Sequence, residues 1–156
     1  MNCPRCSDVL HVVDLRLAGS FIVERCIQCH GTFFDRGELE QLIQHSVDNI
    51  LDTDYGELQR LIQEETHTDA PPMAYVQCPV CAKHMNRKNY GARSGVVVDT
   101  CKECGVWLDG GELGRILKWA KAGGQTHSGA LQEEKERSDR SYQAVVSTPI
   151  GAEPVN

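Results

Sequence analysis

The residues of this chain best placed to do chemistry are its eight cysteines, which fall into four Cys-x-x-Cys pairs: Cys3/Cys6, Cys26/Cys29, Cys78/Cys81 and Cys101/Cys104. The first four map onto the last four with a single offset of 75 residues, so the chain carries an internal tandem repeat. Each set reads Cys-x2-Cys-x19-Cys-x2-Cys, a spacing suited to a structural zinc site. Tetrahedral zinc takes four sulfurs at about 2.3 Å, and a two-residue knuckle delivers two of them to one ion. A hairpin of about twenty residues then returns the chain with the other two. Four thiolates close the coordination sphere and leave no position for activating water, which favours a structural role over a catalytic one.

Other uses of paired cysteines fit less well. A disulfide framework suits a secreted chain, and no export signal precedes Cys3. Cys26-Ile-Gln-Cys29-His30 matches a haem-attachment pattern, but the second copy has Gly105 where His30 stands. Thioredoxin-like chemistry needs a βαβ context that the pattern lacks. Rubredoxin-like iron in the same four sulfurs is the strongest rival, because a thiolate tetrahedron accepts either metal.

The remaining reactive residues read as structural. His11, His30, His45, His67, His84 and His127 share no spacing. Asp35 with Glu38, and Asp109 with Glu112, have the Asp-x-x-Glu spacing of a helix N-terminus, so capping explains both carboxylates. Arg5, Arg25, Lys83 and Lys102 flank the knuckles, where their charge would offset a four-thiolate site of formal charge −2. Phe33, Phe34, Trp107 and Leu108 are expected to cover the metal sites and wedge helix against hairpin. No nucleophile-base constellation and no phosphate-binding loop appears, so the chain reads as a non-enzyme.

The elements that must position the cysteines follow from local pattern. Leu10–Leu17 and Phe21–Cys26 are β-rich runs around the turn Ala18-Gly19-Ser20, a hairpin that brings the two knuckles together. After Asp35, residues Leu39, Leu42, Ile43, Val47, Ile50 and Leu51 recur at helical spacing and form one apolar stripe. Asp54 and Glu57 open a second short helix carrying Leu58, Leu61 and Ile62, before a linker with Pro71-Pro72. The second copy repeats the ribbon, with strands over Lys83–Tyr90 and Val96–Thr100. A shorter helix with Leu113, Ile116, Leu117 and Ala120 ends at Gly123-Gly124. The division is therefore 1–42 for the first ribbon and the start of its helix, 43–77 for an acidic helical connector and linker, 78–122 for the second ribbon and helix, and 123–156 for a mostly disordered tail.

The net charge of −6 is unevenly spread: residues 43–77 carry one basic and seven acidic side chains, whereas 78–120 carry seven basic and four acidic. An acidic whole draws little non-specific attraction to a phosphate backbone. Nucleic acid is therefore the second choice of partner, reached through Lys83, Arg87, Lys88, Arg93 and Lys102 on the second ribbon. No apolar run is long enough to span a membrane, and reduced cysteines suit the cytoplasm.

The repeated Cys-x-x-Cys…Asp-x-Gly-Glu-Leu pattern resembles the small bacterial proteins of the transcription factor IIB-type zinc-ribbon family. The likeness covers residues 3–42 and 78–117, with Phe33-Phe34 in place of Trp-Leu in the first copy. The second copy has one residue fewer between Cys104 and Asp109 than the first has between Cys29 and Asp35. The resemblance implies zinc ligated by Cys3, Cys6, Cys26 and Cys29, and by Cys78, Cys81, Cys101 and Cys104. It does not imply promoter binding. The expected fold is a small metal-bound α+β protein: two zinc ribbons, each a β-hairpin with a four-cysteine zinc site, each followed by an amphipathic helix. The expected function is that of a protein-interaction or regulatory module holding two zinc ions. Because a ribbon is too thin to bury the Leu39–Leu51 stripe, that stripe is expected to pack on the second ribbon, on a partner protein or on a second copy in a homo-oligomer.

Overall fold

The computed structural model describes residues 1–16, 20–49 and 74–146. The expected second helix at 54–62, the turn at Ala18-Gly19, the stripe residues Ile50 and Leu51, and Pro71-Pro72 lie outside them.

Each hairpin forms where alternation and turn residues place it. Strands β1 (His11–Leu15) and β2 (Phe21–Arg25) pair antiparallel, as do β4 (Asn86–Asn89) and β5 (Val97–Cys101). Each copy then adds a third strand after its second knuckle: β3 (Thr32–Asp35) and β6 (Gly105–Leu108). These four-residue strands were not anticipated from the sequence. They pair with each other, Phe33 opposite Trp107, and so fuse both ribbons into one six-stranded sheet of order β1-β2-β3-β6-β5-β4. The repeat makes the pairing nearly symmetric. An approximate two-fold axis passes between Phe33 and Trp107 and relates Thr32 to Val106, Phe34 to Leu108, and Asp35 to Asp109. Gly31 and Gly105 open the two strands and permit this approach. A Cβ on Gly105 would stand 2.0 Å from the Phe34 carbonyl oxygen, and one on Gly31 2.2 Å from the Trp107 ring.

Strand alternation sends Phe33 and Trp107 to one face and Phe34 and Leu108 to the other. On the second face lie helices α1 (Glu38–Asp48) and α2 (Glu112–Lys121), which touch each other. Their buried residues Leu39, Leu42, Ile43, Leu113, Ile116 and Leu117 form one cluster with Phe34, Leu108, Val23 and Val98. The apolar stripe of the first helix is thus covered by the second half of the same chain, as far as it is described. Burying these aliphatic side chains stabilises the fold by about 1.5–3 kcal/mol each. On the other face Phe33 and Trp107 pack with Leu10, Val76, Met85 and cysteines of both sets. The four aromatic and leucine residues of β3 and β6 are therefore divided: only Phe33 and Trp107 cover the metal side, while Phe34 and Leu108 receive the helices.

The repeated Asp-x-Gly-Glu motif works differently from a side-chain cap. The N-cap residues are Gly37 and Gly111, both left-handed at φ 89°, a conformation that favours glycine. Neither aspartate carboxylate caps its helix. Instead the glutamate reaches back: Glu38 Oε2 accepts the Asp35 N–H at 3.0 Å and Glu112 Oε2 accepts the Asp109 N–H at 2.8 Å.

Gly123 (φ 86°) ends α2 as expected, and Gly124 then lies against the Trp119 ring, where a Cβ would stand 2.2 Å from it. The chain continues as α3 (Gly124–Val146), a single helix of 23 residues where a largely disordered tail was expected. Residues 133–140 are exposed, so burial does not explain it. Local propensity does: Glu133/Arg137, Lys135/Asp139 and Glu136/Arg140 are opposite charges one turn apart.

Candidate metal centres and the ionic link between them

Each metal centre is built by two knuckles held at the base of one hairpin. In the first knuckle the Cys3 amide donates to the Asp8 carbonyl at 2.6 Å, and the Ser7 amide to the Cys3 carbonyl at 2.9 Å. Ser7 adopts φ 64°, and its repeat mate Ala82 φ 58°. The Arg5 amide points at Cys3 Sγ at 3.4 Å, the kind of contact that stabilises a thiolate. The second knuckle closes with the Cys26 amide donating to the Gly31 carbonyl at 2.9 Å.

These loops gather the eight cysteines as expected. Cys3, Cys6, Cys26 and Cys29 form one group and Cys78, Cys81, Cys101 and Cys104 the other, with all sulfurs of a group within 4.8 Å of one another. No disulfide joins them. The sulfurs stand 3.4 Å apart in Cys3–Cys29 and Cys6–Cys26 and 3.7 Å apart in Cys81–Cys101. A regular tetrahedron with 2.3 Å bonds sets its sulfurs about 3.8 Å apart, so both groups fit one four-coordinate ion. Their protons are already shared unequally: the hydrogen bond with Cys29 holds the Cys3 thiol down at about 5 and pushes Cys29 up. A bound divalent ion would replace these protons, so metal binding releases them.

Between the two centres lies an ionic link that the sequence did not suggest. Arg5, in the first knuckle, crosses to the second half. Its Nε and one terminal nitrogen donate to the two Asp109 oxygens at 2.8 and 2.7 Å, and the latter nitrogen also donates to Asp99 at 3.1 Å. The other terminal nitrogen donates to the Ala74 carbonyl at 2.7 Å. Trp107 Nε1 adds a fourth hydrogen bond to this carboxylate pair, donating to Asp109 at 2.9 Å. Arg87 stands 3.9 Å from both Asp99 and Asp109. All three linked residues are nearly enclosed, with Asp99 2% and Asp109 7% exposed. Burial pushes the Asp99 carboxyl up, and Arg87 and Arg5 oppose that shift. Burial also works against the Arg5 charge, but the hydrogen bond and charge of Asp109 outweigh it and raise its pKa. Half-buried Glu112 is pushed up to about 8, first by burial and then by the nearby charges of Asp109 and Asp99, against the Asp109 amide.

The expected charge roles shift accordingly. Arg5 spends its guanidinium on the link rather than on its own knuckle. Lys83 pairs with Glu103 at 2.7 Å on the surface, while Lys88, Arg93 and Lys102 are exposed. Of the five cations expected to reach nucleic acid, Lys83 and Arg87 already face carboxylates of this chain. The signal that could have exposed the link was in the repeat itself: Arg5 corresponds to Val80 and Arg87 to Val12, whereas the acids are kept in both copies.

A comparison with curated proteins finds no match, and neither does one with solved structures. A family model described as transcription factor zinc-finger, of the IIB zinc-ribbon type, matches residues 2–45 and 77–118, two copies that together cover more than half of the chain. Those segments coincide with the two metal centres, their strands and their helices, and the chain belongs to this zinc-ribbon family as a tandem pair of ribbons.

Proposed function

We propose that the protein is a non-enzymatic, zinc-organised binding module, with one zinc ion in each four-cysteine centre and a protein as its partner. The two closed sulfur tetrahedra carry this reading. With four thiolates per ion, metal shapes a surface and has no open position at which to bind substrate. The apolar stripe on α1 no longer motivates a partner, because α2 and the sheet cover it. Support comes instead from exposed apolar side chains, Val12 and Ile22 on the metal-side face of the sheet and Val9, Ile27, Tyr75 and Val80 outside the strands, each more than half exposed. A protein partner is favoured over nucleic acid because the acidic whole repels phosphate and two of the five candidate cations are paired.

Elemental analysis of purified protein tests the metal: colourless protein with two equivalents of zinc is expected, and a red, reducible iron protein would overturn this part. A photo-crosslinking residue at Val12 is expected to capture a specific protein in cells, whereas one at Arg137 on α3 should not. Equal capture at both positions, or capture that survives zinc removal, would remove the interaction reading. No helix among the described residues is long and apolar enough to cross a membrane.

A further inference from the structure

We propose that Glu24, Asp35 and Glu38 of the first half, flanked by Val12 and Val80, form a docking site for an arginine side chain carried by a partner protein. The proposal gives chemistry to the partner in the binding-module reading and rests on that reading.

The second half of the chain is the template. One cross-strand row on the metal-side face runs Val12, Glu24, Phe33, Trp107, Asp99, Arg87. The two-fold axis through Phe33 and Trp107 exchanges Glu24 with Asp99 and Val12 with Arg87. It likewise exchanges Asp35 with Asp109, Glu38 with Glu112, and Val80 with Arg5. In the second half Asp99 and Asp109 receive a guanidinium from Arg5, Arg87 stands 3.9 Å from both, and Asp109 accepts the indole N–H of Trp107, while Glu112 accepts the Asp109 N–H beside them. In the first half all three donors become hydrocarbon, namely Val80, Val12 and Phe33, while the three carboxylates remain. Among the described residues no ion pair reaches Glu24, Asp35 or Glu38. Burial pushes the Glu24 carboxyl up, the charges of Asp35 and Glu38 add to that, and the N-terminal ammonium opposes it.

The occupant follows from what the template holds. Asp99 and Asp109 take a fork of nitrogens, which arginine supplies and a single ammonium does not. Val12 is 70% and Val80 53% exposed, and these side chains offer apolar contact to an arginine stem and to aliphatic neighbours in the partner. A divalent cation is the poorer fit. Among the described residues only the two cysteine sets bring three metal-binding groups within 4.8 Å of one another.

The experiment uses the zinc-loaded full chain and has two arms. In the first, Val80→Arg supplies the missing guanidinium from within. It should raise the melting temperature by roughly 3 °C over Val80→Gln, an increase that Glu24→Gln with Asp35→Asn abolishes. In the second, a fluorescent peptide with two arginines among leucines should bind wild type, and its citrulline version should not. Val80→Arg, and separately the Glu24→Gln/Asp35→Asn pair, should each weaken binding at least tenfold. Equal melting of Val80→Arg and Val80→Gln overturns the proposal. So does equal binding of the two peptides, absence of binding, or a site that calcium chloride fills in place of the peptide. Failure here with crosslinking at Val12 intact removes the arginine site and leaves the binding-module reading standing. Loss of zinc or of crosslinking removes the broader reading while the Val80→Arg arm still reports on the site.

Discussion

Residues 3–46 and 78–120 trace the same path of knuckle, hairpin, knuckle, short strand and helix, yet they neutralise the same carboxylates in opposite ways. In the second half Asp99 and Asp109 are drawn inward around Arg5, which comes from the other half. In the first half Asp35 is exposed, Glu24 and Glu38 are half-buried, and Val12 stands opposite Glu24 where Arg87 stands opposite Asp99. The comparison teaches that duplication preserved the backbone and the metal centres, while a few charge substitutions turned one copy into a joint and left the other as a surface. A buried ion pair of this kind is weak evidence of net stability, but it fixes which half meets which.

The halves are covalently separate repeats but share one sheet and one core, so the largest expected effect is loss of either metal. Cys26→Ser and Cys101→Ser should each drop the zinc content from two equivalents to one and abolish the single melting transition of the whole protein. Circular dichroism with metal analysis checks this. Two independent transitions, with the intact half still folded, would show that the β3–β6 joint contributes little.

Next comes the ionic link. Arg5→Ala leaves two buried carboxylates short of a partner and should cost about 3–5 kcal/mol, against under about 0.5 kcal/mol for Val80→Ala at the equivalent surface position. Chemical denaturation of both variants sharpens the contrast, and equal costs would erase it.

A smaller effect is expected at the joint itself. Gly105→Ala drives a Cβ toward the Phe34 carbonyl and should cost about 3 kcal/mol by overpacking the β3–β6 pair, with Gly37→Ala cheaper at about 1 kcal/mol because only its left-handed backbone objects. Unfolding midpoints compare them.

The smallest effect is a pH slope. Glu112 lies at about 8 in the fold against an ordinary 4.5, so its protonated form is the one the fold favours. Its contribution is fully present below about 4.5 and is lost as pH rises toward 8. Zinc-saturated Glu112→Gln, melted at pH 6 and pH 8.5, should show a shallower loss over that window than wild type.

Reading the chain in one dimension reached far in some places and stopped short in others. The eight cysteines, both hairpins, the start of both helices and the Gly123 stop were all legible, because each rests on spacing within about twenty residues. The third strands were not, since Thr32–Asp35 and Gly105–Leu108 are four residues long and offer too little alternation to register. Asp109 read as a helix cap because the Asp-x-x-Glu pattern is local, whereas Arg5, which claims its carboxylate, is 104 residues away.

Residue spacing alone accounts for the two sulfur tetrahedra and the amphipathic helices behind them, because metal geometry and helical period are short-range constraints. It took the folded arrangement to reveal that the ribbons join edge to edge, that the α1 stripe is covered from within, and that Arg5 fills the Asp99–Asp109 pair while, among the described residues, no ion pair reaches Glu24 or Asp35. Strand pairing and charge placement across the joint depend on which distant segments meet, and spacing along the chain does not encode that.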